Sequence, residues 1–87
     1  MQPPGAKPPQ DLQYKTLQNP DGTWGYDIFG DGRRMLHQPH IPALPGTAGF
    51  ATEAQAVRVA AAVIQKIKNG ESLPTLSAEE VRGFMTN

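Results

Sequence analysis

The chain has 87 residues, with eight basic against eight acidic side chains for a formal net charge of zero, and no cysteine. A length of this order supports one domain with one modest core, burying roughly 60–65% of the surface that the unfolded chain exposes. Neutral charge excludes a global field that collects nucleic acid or an anionic membrane, and the missing cysteines exclude disulfides, thiol nucleophiles and zinc–thiolate sites. No run approaches the roughly 18 apolar residues that a membrane-spanning helix needs.

Pro3, Pro4, Pro8 and Pro9 forbid a helix at the start and favour extended backbone. Nothing nearby is apolar enough to act as an anchor. Residues 1–11 therefore read as a flexible proline-rich tail, a tether rather than a ligand for an aromatic groove, and residues 12–87 as a single domain. The opening MQPPGAKPPQ has no apolar core and is no signal peptide; it reads as a trimmed start, which is compatible with an export signal upstream.

Leu12 to Gln18 carries aromatic and β-branched residues and predicts a first strand. Asn19-Pro20-Asp21-Gly22 has the chemistry of a type I turn closed by a glycine bulge, with Pro pre-set at its second position and Gly where positive φ is required. That turn is expected to set Gln18 opposite Thr23 and Leu17 opposite Trp24. Along the next strand Trp24, Tyr26 and Ile28 share one face, and Gly25, Asp27 and Phe29 the other. Asp31-Gly32 suits a two-residue type I′ turn, which pairs Ile28 with Met35 and Tyr26 with His37. The face expected to be buried thus collects Leu17, Trp24, Tyr26, Ile28, Met35 and His37. A slip of one residue would bury Arg34 and Leu36 instead.

From Pro39 to Gly49, three prolines each delete a backbone donor and two glycines break what remains, so neither strand nor helix forms. Apolar Ile41 and Leu44 predict that this connection lies against the core. Thr52 then caps a long helix, with Gln55 completing a capping box. Ala56, Ala60, Val63, Ile64 and Ile67 fall on one stripe, Ile64 at its middle and Val57 and Val59 at its shoulders. Lys66 and Lys68 suit the last turn, and Gly70 the position past it. A second, short helix starts at Ser77, with Glu80 closing another capping box, Leu76 and Val81 placed as a staple, and Val81, Phe84 and Met85 available for burial. The fold class expected is α+β: a three-stranded antiparallel β-meander packed against one long α-helix, plus a short C-terminal helix.

His37 and His40 are spaced H-x-x-H across extended, proline-bounded backbone. Metal sites need three or four convergent ligands, and the expected register sends Asp27 to the opposite face. His37 therefore reads as a structural histidine, and no metal or cofactor is expected. Trp24, Tyr26 and His37 on one face suit either the floor of a ligand pocket or cross-strand core pairs, and the helix stripe, which must cover something, favours the core. Arg33, Arg34 and Lys15 make a mild basic rim, but Asp21, Asp27 and Asp31 interleave with it, so nucleic acid is not an expected partner. Ser72 and Ser77 have no elbow motif or base partner, while Glu79 and Glu80 point apart on their helix; no catalytic residue emerges. The candidate ligand or partner surface comprises Trp24, Tyr26, His37, His40, Ile41 and Leu44. The working surface is expected to be the Pro39–Gly49 loop together with the sheet face away from the helix.

In the residues TWGYDI, the DG turn, HQP-x-IP and the GF-x-T…A…VI-x-KIKNGE run, the chain resembles domain of unknown function 4907, small proteins mostly from Bacteroidetes. The likeness runs from about Tyr14 to the end, on motifs specific in combination and weak singly. Gly30 and Arg34 depart from it, standing where members more often carry apolar residues. The resemblance implies a cell-envelope location, since members usually follow an export or lipoprotein signal and a short linker. It implies no activity, cofactor or catalytic residue. The function expected is an envelope-located binding or accessory domain without enzymatic activity, with an unknown protein or small-molecule partner and a lipid anchor upstream in the full-length protein. The alternatives are a small-molecule or metal-dependent site on the Trp24/Tyr26/His37 face and, third, a nucleic-acid-binding three-stranded sheet. Solvent access to His37 beside a cavity separates the first alternative from the favoured reading.

Overall fold

The computed structural model describes residues 11–44, 46, 48–70 and 76–85. Strands β1 (Leu12–Gln18), β2 (Trp24–Gly30) and β3 (Arg33–Gln38) form one antiparallel sheet in the order β1-β2-β3, followed by helices α1 (Glu53–Lys68) and α2 (Ala78–Met85). This is the expected α+β meander with its long and short helices. Of the tail expected over residues 1–11, residues 1–10 lie outside the described residues, as does Ser72; Asp11 is described, and its N–H donates to Asp31 Oδ1 at 3.0 Å.

Both hairpin turns form, and both shift the expected register. In the first, Gly22 takes φ +88°, its N–H donates to the Asn19 carbonyl at 2.9 Å, and the Asn19 N–H donates to the Thr23 carbonyl at 2.7 Å. Pro20, Asp21 and Gly22 are then the whole loop, three residues where the sequence reading allowed four. Pairing continues as Gln18 with Trp24 and Leu17 with Gly25. Since side chains alternate, this moves Leu17 away from the Tyr26 face and brings Leu12, Tyr14 and Thr16 onto it.

In the second hairpin, Asp31 and Gly32 have φ of 52° and 83°, as a type I′ turn requires. Gly30 pairs with Arg33 and Phe29 with Arg34, but the register then slips, so that Ile28 faces Leu36 and Asp27 faces His37. The extra residue is Met35, which is 42% exposed. Met35 and His37 are therefore not on the buried face, contrary to the expectation; Leu36 is. The physical reason is a β-bulge. It lets the turn keep its favoured two-residue geometry while an apolar side chain, Leu36, points inward and Arg34 stays in solvent.

The core joins Tyr26 and Ile28 of β2, Phe50, Ala56, Val59, Ala60, Val63 and Ile67 of α1, and Val81 of α2. Burying side chains such as Ile28 and Val59 contributes roughly 1.5–3 kcal/mol each. Ile64 is only half-buried: the covered stripe is centred further towards Val59, so Ile64 sits at its margin rather than its middle. Phe50 is fully buried and makes a two-bond bridge with Trp24, at 2.8 and 2.7 Å. The sequence reading did not place it in the core.

The helix ends follow the local chemistry. The Thr52 hydroxyl accepts from the Gln55 N–H at 3.2 Å, while the Gln55 side chain reaches back to Ala51 rather than to Thr52. Ser77 and Glu80 form both bonds of a capping box, at 3.0 and 3.2 Å. Together with the Lys66 ammonium 3.3 Å away on α1, the Ser77 N–H holds the Glu80 carboxyl below its usual range, the Ser77 bond being the larger cause. Gly70, at φ +97°, ends α1 as expected.

Candidate functional site

Because β2 alternates, the strand that supplies Tyr26 and Ile28 to the core presents Gly25, Asp27 and Phe29 on its other side. No described helix packs there, since α1 lies against the Tyr26 and Ile28 side. The register adds Gln13, Lys15 and Leu17 from β1, and Arg34 and His37 from β3. Arg34 and His37 are three apart and would normally point to opposite faces. The bulge at Met35 supplies the missing step and places both beside Asp27.

The geometry is centred on the Asp27 carboxylate. Its Oδ1 lies 2.5 Å from His37 Nδ1 and its Oδ2 lies 3.9 Å from Arg34 Nη1. The Asp27 side chain is 16% exposed, against 50% for His37 and 58% for Arg34. A shielded carboxylate thus has two outward-facing nitrogen-bearing partners. With Nδ1 committed to Asp27, Nε2 is the free ring nitrogen of His37. Lys15, directly across from Asp27, holds its ammonium 5.8 Å from the centre of the Phe29 ring, a cation–π contact.

At one end of this face the Pro39–Gly49 connection is tied to the first hairpin. Asn19 Nδ2 donates to the Pro39 carbonyl at 2.8 Å and to Thr23 Oγ1 at 3.2 Å. The Gly49 N–H donates to the same hydroxyl at 3.1 Å, and that hydroxyl gives its one proton to Asp21 Oδ1 at 2.6 Å. These bonds use the full capacity of a threonine hydroxyl. The Thr23 hydroxyl, and after it the Thr23 N–H, lowers the Asp21 carboxyl below its usual range. Backbone passes so close to Gly25 that a Cβ there would lie 2.5 Å from the Gln38 oxygen and from Pro39 Cα.

The six residues picked out by sequence do not form one patch. Trp24 is half-buried and Tyr26 is 1% exposed; burial pushes the Tyr26 hydroxyl up to about 12. His37 is exposed on the opposite face, so the Trp24/Tyr26/His37 cluster is not assembled. His40 is exposed beyond Pro39, and its carbonyl accepts from Gln38 Nε2 at 2.8 Å. Ile41 and Leu44 are half-buried against the core, as expected of the connection. An open groove of about 540 Å³ lies elsewhere, between β1 and α1, lined by Leu12, Tyr14, Ala61, Ile64 and Lys68 among others, and His37 does not border it. Asp27, the shared partner of His37 and Arg34, and Arg34 itself are not among the candidates from sequence because only the register reveals them, and the bulge that sets it has no local marker. Among the described residues no three His, Asp or Glu side chains converge as a metal site would need, and no helix is long and apolar enough to cross a membrane.

The sequence model of one family, Domain of unknown function (DUF4907), matches residues 15–83. No curated protein and no solved structure matches the chain.

Proposed function

The chain belongs to the domain of unknown function 4907 family, and from that premise we propose that it is a non-enzymatic binding or accessory module of the cell envelope, working through the uncovered face of its sheet. The observation that carries the binding part is the asymmetry of the sheet. One side is closed by α1, and the other displays Lys15, Phe29, Arg34 and His37 around the shielded Asp27 carboxylate. The tied base of the Pro39–Gly49 connection borders that face and completes the surface. The envelope part, with a Bacteroidetes source and a lipid anchor upstream in the full-length protein, is supported by the family resemblance alone. A pocket on Trp24, Tyr26 and His37 has no support, because those side chains point to different faces. Nucleic acid is not among the proposed partners: the net charge is zero and Asp27 sits between the basic side chains.

The test combines location with capture. The tagged full-length protein should fractionate with the envelope, and capture from envelope extract should be lost on Lys15→Glu, with an unchanged melting temperature. Gln65→Glu, beside the groove, should capture as the parent does. Recovery in the cytosol would overturn the location, and capture indifferent to Lys15→Glu would overturn the choice of face.

A further inference from the structure

We propose that Arg34 and His37 form a binding site for a phosphate group, with Asp27 as the positioning residue that holds both. This deepens the proposed function by naming a ligand class for the same face, and it rests on that reading. Three observations carry it. First, the bulge at Met35 brings two side chains onto one face that regular pairing would separate, and bulges recur where a strand must re-aim a functional side chain. Second, Asp27 is largely shielded while its two partners remain half or more exposed, so the negative charge lies behind the donors and does not face an incoming anion. Third, the charged groups in contact with Asp27 or directly across from it are Lys15 and Arg34, together with His37, so cations gather at this point of the face, while Asp11, beside Gln13, and Asp21, on the Thr23 hydroxyl, lie at its ends.

Phosphate fits this arrangement better than carboxylate. The contact to Asp27 makes His37 Nδ1 the protonated nitrogen, so a neutral ring offers a lone pair at Nε2. Inorganic phosphate carries at least one O–H in both of its forms near neutral pH and can donate it to that lone pair while its other oxygens accept from the Arg34 guanidinium. A carboxylate anion has no proton to donate. When the ring is doubly protonated, Nε2 donates to either anion and the preference narrows. The Arg34 fork suits two oxygens of one phosphate.

The experiment is a titration of the purified chain with inorganic phosphate, in parallel with acetate and chloride, followed by amide and imidazole NMR shifts. An exposed site with a few charge-assisted bonds should saturate on the order of millimolar phosphate. Shifts should concentrate at Asp27, Arg34 and His37. Acetate at pH 7.5 should bind at least about tenfold more weakly, a difference of about 1.4 kcal/mol. Arg34→Gln and His37→Gln should each weaken phosphate binding about tenfold while the protein stays folded at the titration temperature by Trp24 fluorescence, whereas Lys68→Gln should leave binding unchanged. Absence of saturation, equal shifts at Lys66 and Lys68, or equal binding of acetate and phosphate at pH 7.5 would overturn the proposal. Because no extract is involved, that failure leaves the capture experiment to judge the partner-binding face by itself.

Discussion

On the covered face of β2, Tyr26 and Ile28 have no more than 1% of their surface in solvent, and α1 presses on them with Val59, Ala60 and Val63. One residue along the same strand, on the other face, Asp27 is held by side chains that are themselves half in water. A single seven-residue segment therefore serves two solvents. Its even-numbered residues gain stability from removing area from water. Asp27 on the other side gains little, because exposed ion pairs are screened and lose side-chain freedom. The covered face should set whether the protein folds, and the open face should be free to change with the ligand.

The strongest way to break that division is Ile28→Ala. Losing a buried isoleucine costs about 2–5 kcal/mol, against a total near 5 kcal/mol for a small domain. The variant should be largely unfolded at 37 °C, with a red-shifted Trp24 emission; a melt like the parent's would mean that the α1 side is not the core. Next is Gly25→Ala. It lies on the open side, yet its Cβ would meet backbone at 2.5 Å. Overpacking of this kind costs about 1–3 kcal/mol, so thermal unfolding should detect it, and a neutral result would show that Pro39 does not sit against the strand.

Tyr26 gives a pH test. Its hydroxyl has an ordinary pKa of 10.0, raised to about 12 by burial in the folded chain. The unfolded chain then releases this proton first. The contribution is complete below pH 10 and is lost as pH rises towards 12, at roughly 1 kcal/mol per pH unit. Urea denaturation between pH 9 and 11 should show this slope, and Tyr26→Phe should remove it. The smallest effects belong to the open face, where His37→Gln and Arg34→Gln should each change stability by less than about 1 kcal/mol in equilibrium denaturation. A larger loss from either would make Asp27 a structural anchor and blur the contrast between the faces.

What was legible in the sequence was local. Asn19-Pro20-Asp21-Gly22 and Asp31-Gly32 announce their turns because only a few residue types tolerate those φ values; Gly70 marks a helix end for the same reason, while Thr52 and Ser77 mark helix starts because their hydroxyls accept a backbone N–H of the first turn. Long-range choices were not legible. Whether three or four residues make the first loop decides the face of Leu17, and nothing within Arg34-Met35-Leu36 marks Met35 as the extra one. Phe50 follows a glycine outside any periodic run, so only its bridge to Trp24 reveals it. The stripe on α1 is wide enough that its centre, Ile64 or Val59, depends on where the sheet lies. The candidate site suffered most, since an error of one residue put His37 on the buried face beside Tyr26, whereas it lies on the opposite face with Asp27.

The connection from Pro39 to Gly49 leaves and returns at a single anchor, with Asn19 and Thr23 gripping both of its ends. Closure is thus fixed at the base, where the Ile41 N–H also donates to the Ala48 carbonyl at 3.0 Å. Each doubling of a flexible loop adds only about 0.6 kcal/mol of closure entropy, so length here is nearly free to vary. A foreign peptide spliced after exposed Ala43 should therefore be displayed from this base at small cost, as long as Leu44 beside it keeps its place against the core.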